Sequence, residues 1–380
     1  MRLVFVFFAL VASVSVLGQV IPDNNEILKE VDGIINSYQF EKALAVLEQS
    51  PDTFNTEIIQ RKGYCHSRLG NYQQAIDAYE TVVKTDSTNT GAFNQLGQLY
   101  SRTGEYDLAK ELYQKLMAAD TANSFYYKQY ASLLVQTGEG VYAIPYYLKT
   151  VEMNPHDLEA YSSLANLLFD IEAYDMADSI LMNALKTIRH PQLKLLLAKA
   201  QLGEKKYKSV INNVNELLLY SDTTVTSARL LGISYFQLDK HDEAISCMKY
   251  LVGSGAEADW IYYYIGASYQ QLNNPDSAIA YLNKAIEAGI SNNIGTYYTQ
   301  LAISYENTGD FKNAIHYYKA AYENSKSDIL LYHLARNYDQ FYKDKSSAIA
   351  YYKKYLSSDD TIKVTREYSQ QRMQQLTDFR

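Results

Sequence analysis

Apolar residues recur along most of the chain at spacings of i, i+3, i+4 and i+7, in segments about thirteen residues long. The segment from residue 90 shows it: Phe93, Leu96, Gly97 and Tyr100 lie on one helical face. A short polar turn through Gly104 follows, and a second segment places Tyr106, Ala109, Tyr113 and Leu116 on the matching face. The pattern predicts two helices joined by a tight turn, then the same unit again. Aligned on a small residue in the second helix, the copies are anchored at Ala43, Ala75, Ala109, Ala143, Ala177, Val210, Ala244, Ala278, Ala314 and Ala348. Their spacings are 32, 34, 34, 34, 33, 34, 34, 36 and 34, a period that chance does not hold over ten copies. With the anchors at position 20, small residues also fall at position 8, where two helix backbones can approach. Glycines at position 15 (Gly70, Gly104, Gly138, Gly309) suit a helix C-terminus that turns through positive φ. Such a pair cannot bury its second face alone, so the copies are expected to stack, each touching its neighbours.

The third copy (Phe93, Leu96-Gly97, Tyr100, Ala109, Tyr113) resembles the tetratricopeptide repeat (TPR) family, whose pattern is W-x2-L-G-x2-Y, then A-x3-F, then P. The fourth copy adds Tyr127, Tyr130-Ala131, Ala143, Tyr147 and a terminal Pro155; the seventh has Leu231-Gly232, Tyr235 and Ala244. The eighth has Tyr262, Ile265-Gly266, Tyr269 and Ala278, and the ninth Tyr298, Leu301-Ala302, Tyr305 and Ala314. The resemblance runs from about residue 24 to 357. It implies an all-α fold: a right-handed α-solenoid of about ten TPR helix-turn-helix repeats with a C-terminal capping helix. Copy one has Glu30-Val31 in place of Leu-Gly, and copy ten carries an extra residue in its turn, around 342–345. Copy six (191–224) is the weakest, opening at His190-Pro191 and anchored by Val210. It marks either a joint between two halves or drift within one array, and one continuous array is the expectation. After Asp360 a helix from about Thr361 to Asp378 carries Ile362, Val364, Tyr368, Met373 and Leu376 among polar residues. Its expected role is to close the apolar end of the stack, the alternative being a partner-binding or dimerising helix.

Residues 1–18 fall outside the repeats. Arg2 precedes an uncharged apolar run from Leu3 to Leu17, and Val16-Leu17-Gly18 offers small residues to a signal peptidase. A signal peptide cleaved before Gln19 is the expectation, with an uncleaved N-terminal anchor as the alternative. No Cys ends the run, so a bacterial lipoprotein is not expected, and no second stretch of spanning length follows. The expected organisation is a signal peptide (1–18), a solenoid (19–357) and a capping helix (358–380), exported and without a membrane span after cleavage. Cys65 and Cys247 sit in distant copies and are expected as small buried hydrophobes, not a disulfide.

The chemistry of enzymes is not visible. There is no H-E-x-x-H, C-x-x-C, G-x-S-x-G or phosphate loop, and the six His have no ligand spacing to one another. No cofactor and no metal is expected. Residues 86–89 (Asp-Ser-Thr-Asn) and 120–123 (Asp-Thr-Ala-Asn) faintly suggest calcium loops, but at the junctions between copies they are better read as helix caps. A net charge of −8 and only short lysine clusters argue against nucleic acid.

What the resemblance implies is a groove lined by positions 2, 5, 9, 12 and 13 of each first helix, binding a protein or peptide. The candidate groove residues are Tyr64, Asn94, Gln98, Arg102, Phe125, Lys128, Asn166, Phe169, Arg229, Phe236, Trp260 and Tyr263. Amides can pair with an extended peptide backbone as donor and acceptor, and exposed aromatic residues are good anchors. For Phe169 and Phe236 the competing role is packing against the next repeat. Lys128 matches the first position of the family's carboxylate clamp, but Ser132 stands where that clamp needs Asn, so a clamp of that type is not expected. The alternative ligand is a glycan or peptidoglycan stacked on surface Tyr and Trp. Export and a Tyr/Asn-rich composition are similar to envelope proteins of Gram-negative bacteria, which would place a monomeric scaffold in the periplasm or outside the cell. Of the 37 tyrosines, about half fall at positions 4, 7, 11, 17 or 24, where they are expected to be framework.

Overall fold

The structure, a computed structural model, describes residues 23–50, 52, 54–219, 224–289, 293–360 and 362–378. The expected signal peptide lies outside these residues. The described residues hold 21 helices and no strand. The chain divides into two compact units, one reaching to Ala160 and one from Tyr161. The first holds α1 (Asn24–Asn36), α2 (Phe40–Leu47), α3 (Thr56–Leu69), α4 (Tyr72–Thr85), α5 (Thr90–Thr103), α6 (Tyr106–Ala119), α7 (Ser124–Gln136) and α8 (Gly140–Met153). The division falls within α9 (Leu158–Asp170). The second unit continues with α10 (Tyr174–Ala184), α11 (Pro191–Gly203), α12 (Tyr207–Leu218), α13 (Val225–Gln237), α14 (His241–Gly253), α15 (Asp259–Gln271) and α16 (Pro275–Ala288). It ends with α17 (Ile294–Asn307), α18 (Phe311–Ser325), α19 (Ile329–Phe341), α20 (Ser346–Leu356) and α21 (Lys363–Asp378). From α1 to α8, and from α10 to α21, each helix packs on the next. Copy six lies inside the second unit.

The repeat pattern maps onto this frame residue by residue. In each of the first nine copies the second helix begins at position 17, as at Tyr72, Tyr106 and Tyr174. All ten anchors, including Val210, have no solvent exposure. At position 8 the glycines sit against the second helix. A methyl group on Gly97 would lie 3.0 Å from the Tyr113 ring, and one on Gly266 2.8 Å from Leu282 Cγ. The junctions at 86–89 and 120–123 are caps: Asn89 Oδ1 accepts from the Ala92 amide at 2.9 Å, and Asn123 Oδ1 from the Phe125 amide at 3.2 Å. Asp86 and Asp120 accept from amides two residues on, of Thr88 and Ala122.

The turn inside each pair is more uniform than its sequence. Position 15 has positive φ not only at Gly70, Gly104, Gly138 and Gly309, but also at Tyr38, Glu172, Lys205, Asp239 and Asn273, with φ between 54° and 61°. The chain must reverse within three residues, and a left-handed residue there closes the helix end whatever its side chain. A Cβ in that region costs about 1 kcal/mol. Glycine at Glu172 or Lys205 should therefore raise stability by roughly 0.5–1 kcal/mol, net of its unfolded-state entropy, and Gly104→Ala should lower it by about 1 kcal/mol. Urea denaturation of the three variants checks the opposite signs. Copy ten breaks the rule: Tyr342 is extended, and Lys345 reaches back to donate to the Asp339 and Tyr342 carbonyls.

The tyrosines explain themselves further in the second unit. Position 11 stacks on position 23 of the same pair: Tyr269 on Tyr281, Tyr305 on Tyr317 and Tyr338 on Tyr351, with centroids 5.7, 5.4 and 5.3 Å apart. A lysine from the preceding second helix lies over two of these stacks, Lys249 on Tyr269 and Lys319 on Tyr338. Position 23 was not among the framework positions expected from the sequence; the stacking partner makes it one. Cys65 is buried and Cys247 half-buried, both as free thiols pushed up to about 11 by burial.

The last helix closes the second unit. Met373 and Leu376 cover Ala335, Ala348 and Tyr352. Arg366 donates to the carbonyls of Leu356, Ser358 and Asp360, satisfying the C-terminal end of α20. Arg372 grips Asp339 through Nε at 2.7 Å and Nη2 at 3.2 Å.

Candidate functional site

Position 8 faces the second helix of its own pair. Positions 2, 5, 9, 12 and 13 of the first helices fall about 40–140° round from it at about 100° per residue, and so share one flank that lines a surface of its own. In the first unit this surface carries two depressions. One, about 430 Å3, is lined by Gln98, Ser101 and Arg102 of α5 and by Phe125, Gln129 and Gln136 of α7. Gln98, Arg102, Phe125 and Gln136 are exposed. Arg102 is propped by Tyr72, whose ring lies 5.5 Å from the guanidinium and whose hydroxyl accepts from Nη1 at 3.3 Å. The other, about 310 Å3, joins Tyr64 and Gln60 of α3 to Asn94 and Gln95 of α5. Its charged pair is internal: Arg61 donates to both oxygens of Asp32 at 3.2 Å, which raises the Arg61 pKa. Asn94 accepts from the Tyr113 hydroxyl, so only part of its amide faces outward.

Lys128 is not an open cation. Its ammonium sits between Asp157 at 3.0 Å and Glu159 at 2.9 Å, and although burial lowers its pKa, those two carboxylates raise it overall. With its charge already matched, it offers little to a carboxylate ligand.

In the second unit the expected residues fare differently from one another. Asn166 is exposed, but Phe169 is buried, stacked on Tyr174 at 6.0 Å with the Lys199 ammonium 4.4 Å above its ring. Phe236 packs edge-on against Tyr264 at 4.8 Å. Tyr263 stacks on Tyr297 at 5.1 Å, and burial raises its pKa. Trp260 is half-buried with the Arg229 guanidinium 5.3 Å over its ring, so one indole face is occupied by a cation rather than open to a sugar. Phe169, Phe236 and Tyr263 thus have packing partners on the chain itself.

A third depression, about 520 Å3, lies where no candidate but Arg229 was expected. It is built on copy six, from Gln192, Leu195, Leu196, Lys199, Leu202 and Gly203 of α11, with Tyr174 and with Thr226, Arg229 and Leu230 of α13. The signal was present in the sequence: α11 carries leucines on two opposite faces, Leu193 and Leu197 on one and Leu195 and Leu202 on the other, whereas a helix packed on one side keeps them to one stripe. Reading copy six only as a degraded repeat hid it.

Among the described residues no group of three or more His, Cys, Asp or Glu is placed to hold a metal ion, and no helix is long and apolar enough to cross a membrane.

The fold and this surface define a helical-repeat scaffold that presents side chains from consecutive first helices. Two stretches match family models described as tetratricopeptide repeat, residues 66–134 and residues 257–327. These two stretches are tetratricopeptide repeats. Similar solved structures include a tetratricopeptide repeat protein from Parabacteroides merdae, 18% identical, covering 66% of this chain and 98% of that one with a TM-score of 0.45. Another is YrrB, described as a TPR protein with an unusual peptide-binding site, at 20% identity over 46% of this chain and 91% of that one, with a TM-score of 0.41. A third is Naa15/Naa10 bound to HypK-THB, at 12% identity over 91% of this chain and 65% of that one, with a TM-score of 0.44. No curated protein matches the sequence significantly.

Proposed function

We propose that this protein is an exported, non-catalytic scaffold that holds a protein or peptide segment on its first-helix surface and so organises a cell-envelope complex. The observation that carries the reading is the depression between α5 and α7, where three glutamines, an arginine and the exposed Phe125 converge. Amides supply both donor and acceptor to an extended backbone, and an aromatic ring beside them supplies apolar contact. Support for export comes from the uncharged apolar run of residues 3–17, and support for a scaffold from the repeats themselves.

A photo-crosslinking residue at Gln98 should join a defined partner in intact cells, whereas one at Lys84, on the exposed side of α4, should not. Phe125→Ala should weaken that partner about tenfold or more, as an anchor residue does. Equal cross-linking at the two positions would refute the groove. N-terminal sequencing of the mature protein checks export: a chain beginning at Gln19 is expected.

A further inference from the structure

We propose that the depression on copy six is a second binding site, for a protein segment that presents leucine-like side chains beside carboxylates. The inference rests on the scaffold reading above and names the chemistry of one of its sites.

The floor is aliphatic. Leu195 and Leu196 stand at positions 5 and 6, where copies two to four have Gln60, Asn94, Lys128 and Arg61, Gln95, Gln129; with Leu202 they are half-buried. Leaving apolar side chains partly in water gains nothing for the fold, and such a patch, rimmed by polar residues, marks a surface that a partner completes. One wall is aromatic. Tyr174 lies over Gly203 so closely that a methyl group there would run into its ring, and it stacks on Phe169 behind it. Glycine at this position lets the ring lie flat and opens the end of the cavity.

The rim is cationic. Lys199 and Arg229 stand at the mouth, both exposed, and neither has a carboxylate within ion-pair distance among the described residues. Each rests on an aromatic face, Lys199 on Phe169 and Arg229 on Trp260, which fixes the charge without neutralising it. No acidic residue lines the depression, although the chain as a whole carries a net charge of −8. Lys128 in the first unit, by contrast, is matched by Asp157 and Glu159. Two unmatched cations above a leucine floor are complementary to an acidic, aliphatic segment. About 520 Å3 is room for two or three side chains, within the range of pre-formed ligand sites. A basic or purely polar segment would leave one half of this surface unanswered.

The test uses the full-length protein and fluorescein-labelled twelve-residue peptides: one of leucines flanked by aspartates, and versions with Asn or Lys for Asp, or Ser for Leu. The Leu/Asp peptide should bind, the Asn and Ser versions at least tenfold more weakly, and the Lys version not measurably. In the double variant Lys199→Glu/Arg229→Glu the preference should invert, with the Leu/Lys peptide bound and the Leu/Asp peptide lost. Both side chains are exposed, and an unchanged melting curve confirms the fold. Equal binding of the Asp and Lys peptides, or an unchanged preference in the double variant, overturns the proposal. Cross-linking at Gln98 in the first unit is followed in parallel. If it persists while the wild type binds no acidic peptide, this site is refuted and the scaffold reading stands; if it too is absent, the scaffold reading fails with it.

Discussion

Leucine in place of Gly266 should unfold the α15–α16 pair, with a cost of about 3 kcal/mol or more. A single methyl at that position would stand 2.8 Å from Leu282 Cγ and 3.1 Å from the Leu282 backbone nitrogen. The side chain could turn aside, but the backbone cannot move without separating the two helices. Overpacking of this kind costs about 1–3 kcal/mol for small additions, and leucine adds three further carbons. The same change of principle at Gly232 has a different outcome. There the nearest atom is the terminal methyl of Met248, at 2.8 Å, and a methionine side chain can rotate out of the way. Gly232→Ala should be close to neutral, because the helix gains up to about 1 kcal/mol from losing glycine. Hydrogen exchange resolved by helix checks both. Contacts in a repeat array are between neighbours, so the Gly266→Leu defect should show as lost protection in α15 to α17 before it spreads. Undiminished protection there would contradict the close approach.

The second large effect is expected at the far end of the chain. Arg372→Ala should release α21 from the last pair. Asp339 is buried, with its side chain 7% exposed, and Arg372 and Lys345 are its counter-charges. Burial by itself would raise the Asp339 pKa, but hydrogen bonds and charge from Arg372 and Lys345 hold it below the usual carboxylate range. Removing one partner of a buried pair leaves charge uncompensated, at about 3–5 kcal/mol when both are buried. Arg372 is partly in water and Lys345 remains, so about 2 kcal/mol is the expected loss. The pH dependence follows from the sign. A carboxylate with a depressed folded pKa stabilises the fold above its unfolded pKa, near 4, and that stabilisation disappears as pH falls through the folded value. In Arg372→Ala the folded pKa rises, so the transition of α21 should move to higher pH. Protection of the amides of 363–378 during an acid titration reads it directly; coincident curves for variant and wild type would show that the pair does not hold the helix. Loss of α21 also uncovers Ala335, Ala348 and Tyr352, so the variant should aggregate more readily.

The residues that hold the fold were legible and most of those that form its surfaces were not, for a reason visible in particular positions. Ala109, Gly97 and Tyr113 could be assigned to the interior from spacing alone, because each packs against a residue a fixed distance away in the same copy. A period of about 34 residues is itself the record of those contacts, so in the first nine copies the helix pairs, their turns and the start of each second helix follow from it. Even Val210, the anchor of the weakest copy, is fully buried as its place in the period requires. Position 5 or 9 of a first helix carries no such record. Whether its side chain is open depends on what another helix sets beside it. Lys128 looks available in the sequence and is matched by Asp157 and Glu159; Phe169 looks like an anchor and is buried under Lys199. Leu195, Leu196 and Leu202 look like a core gone astray, yet in three dimensions they form the floor of a depression between two cations. Repetition along the chain specified the packing within a pair. Only the juxtaposition of pairs in space decided which polar, charged and apolar groups remain for a partner, because exposure and charge matching belong to neighbours in space rather than along the chain.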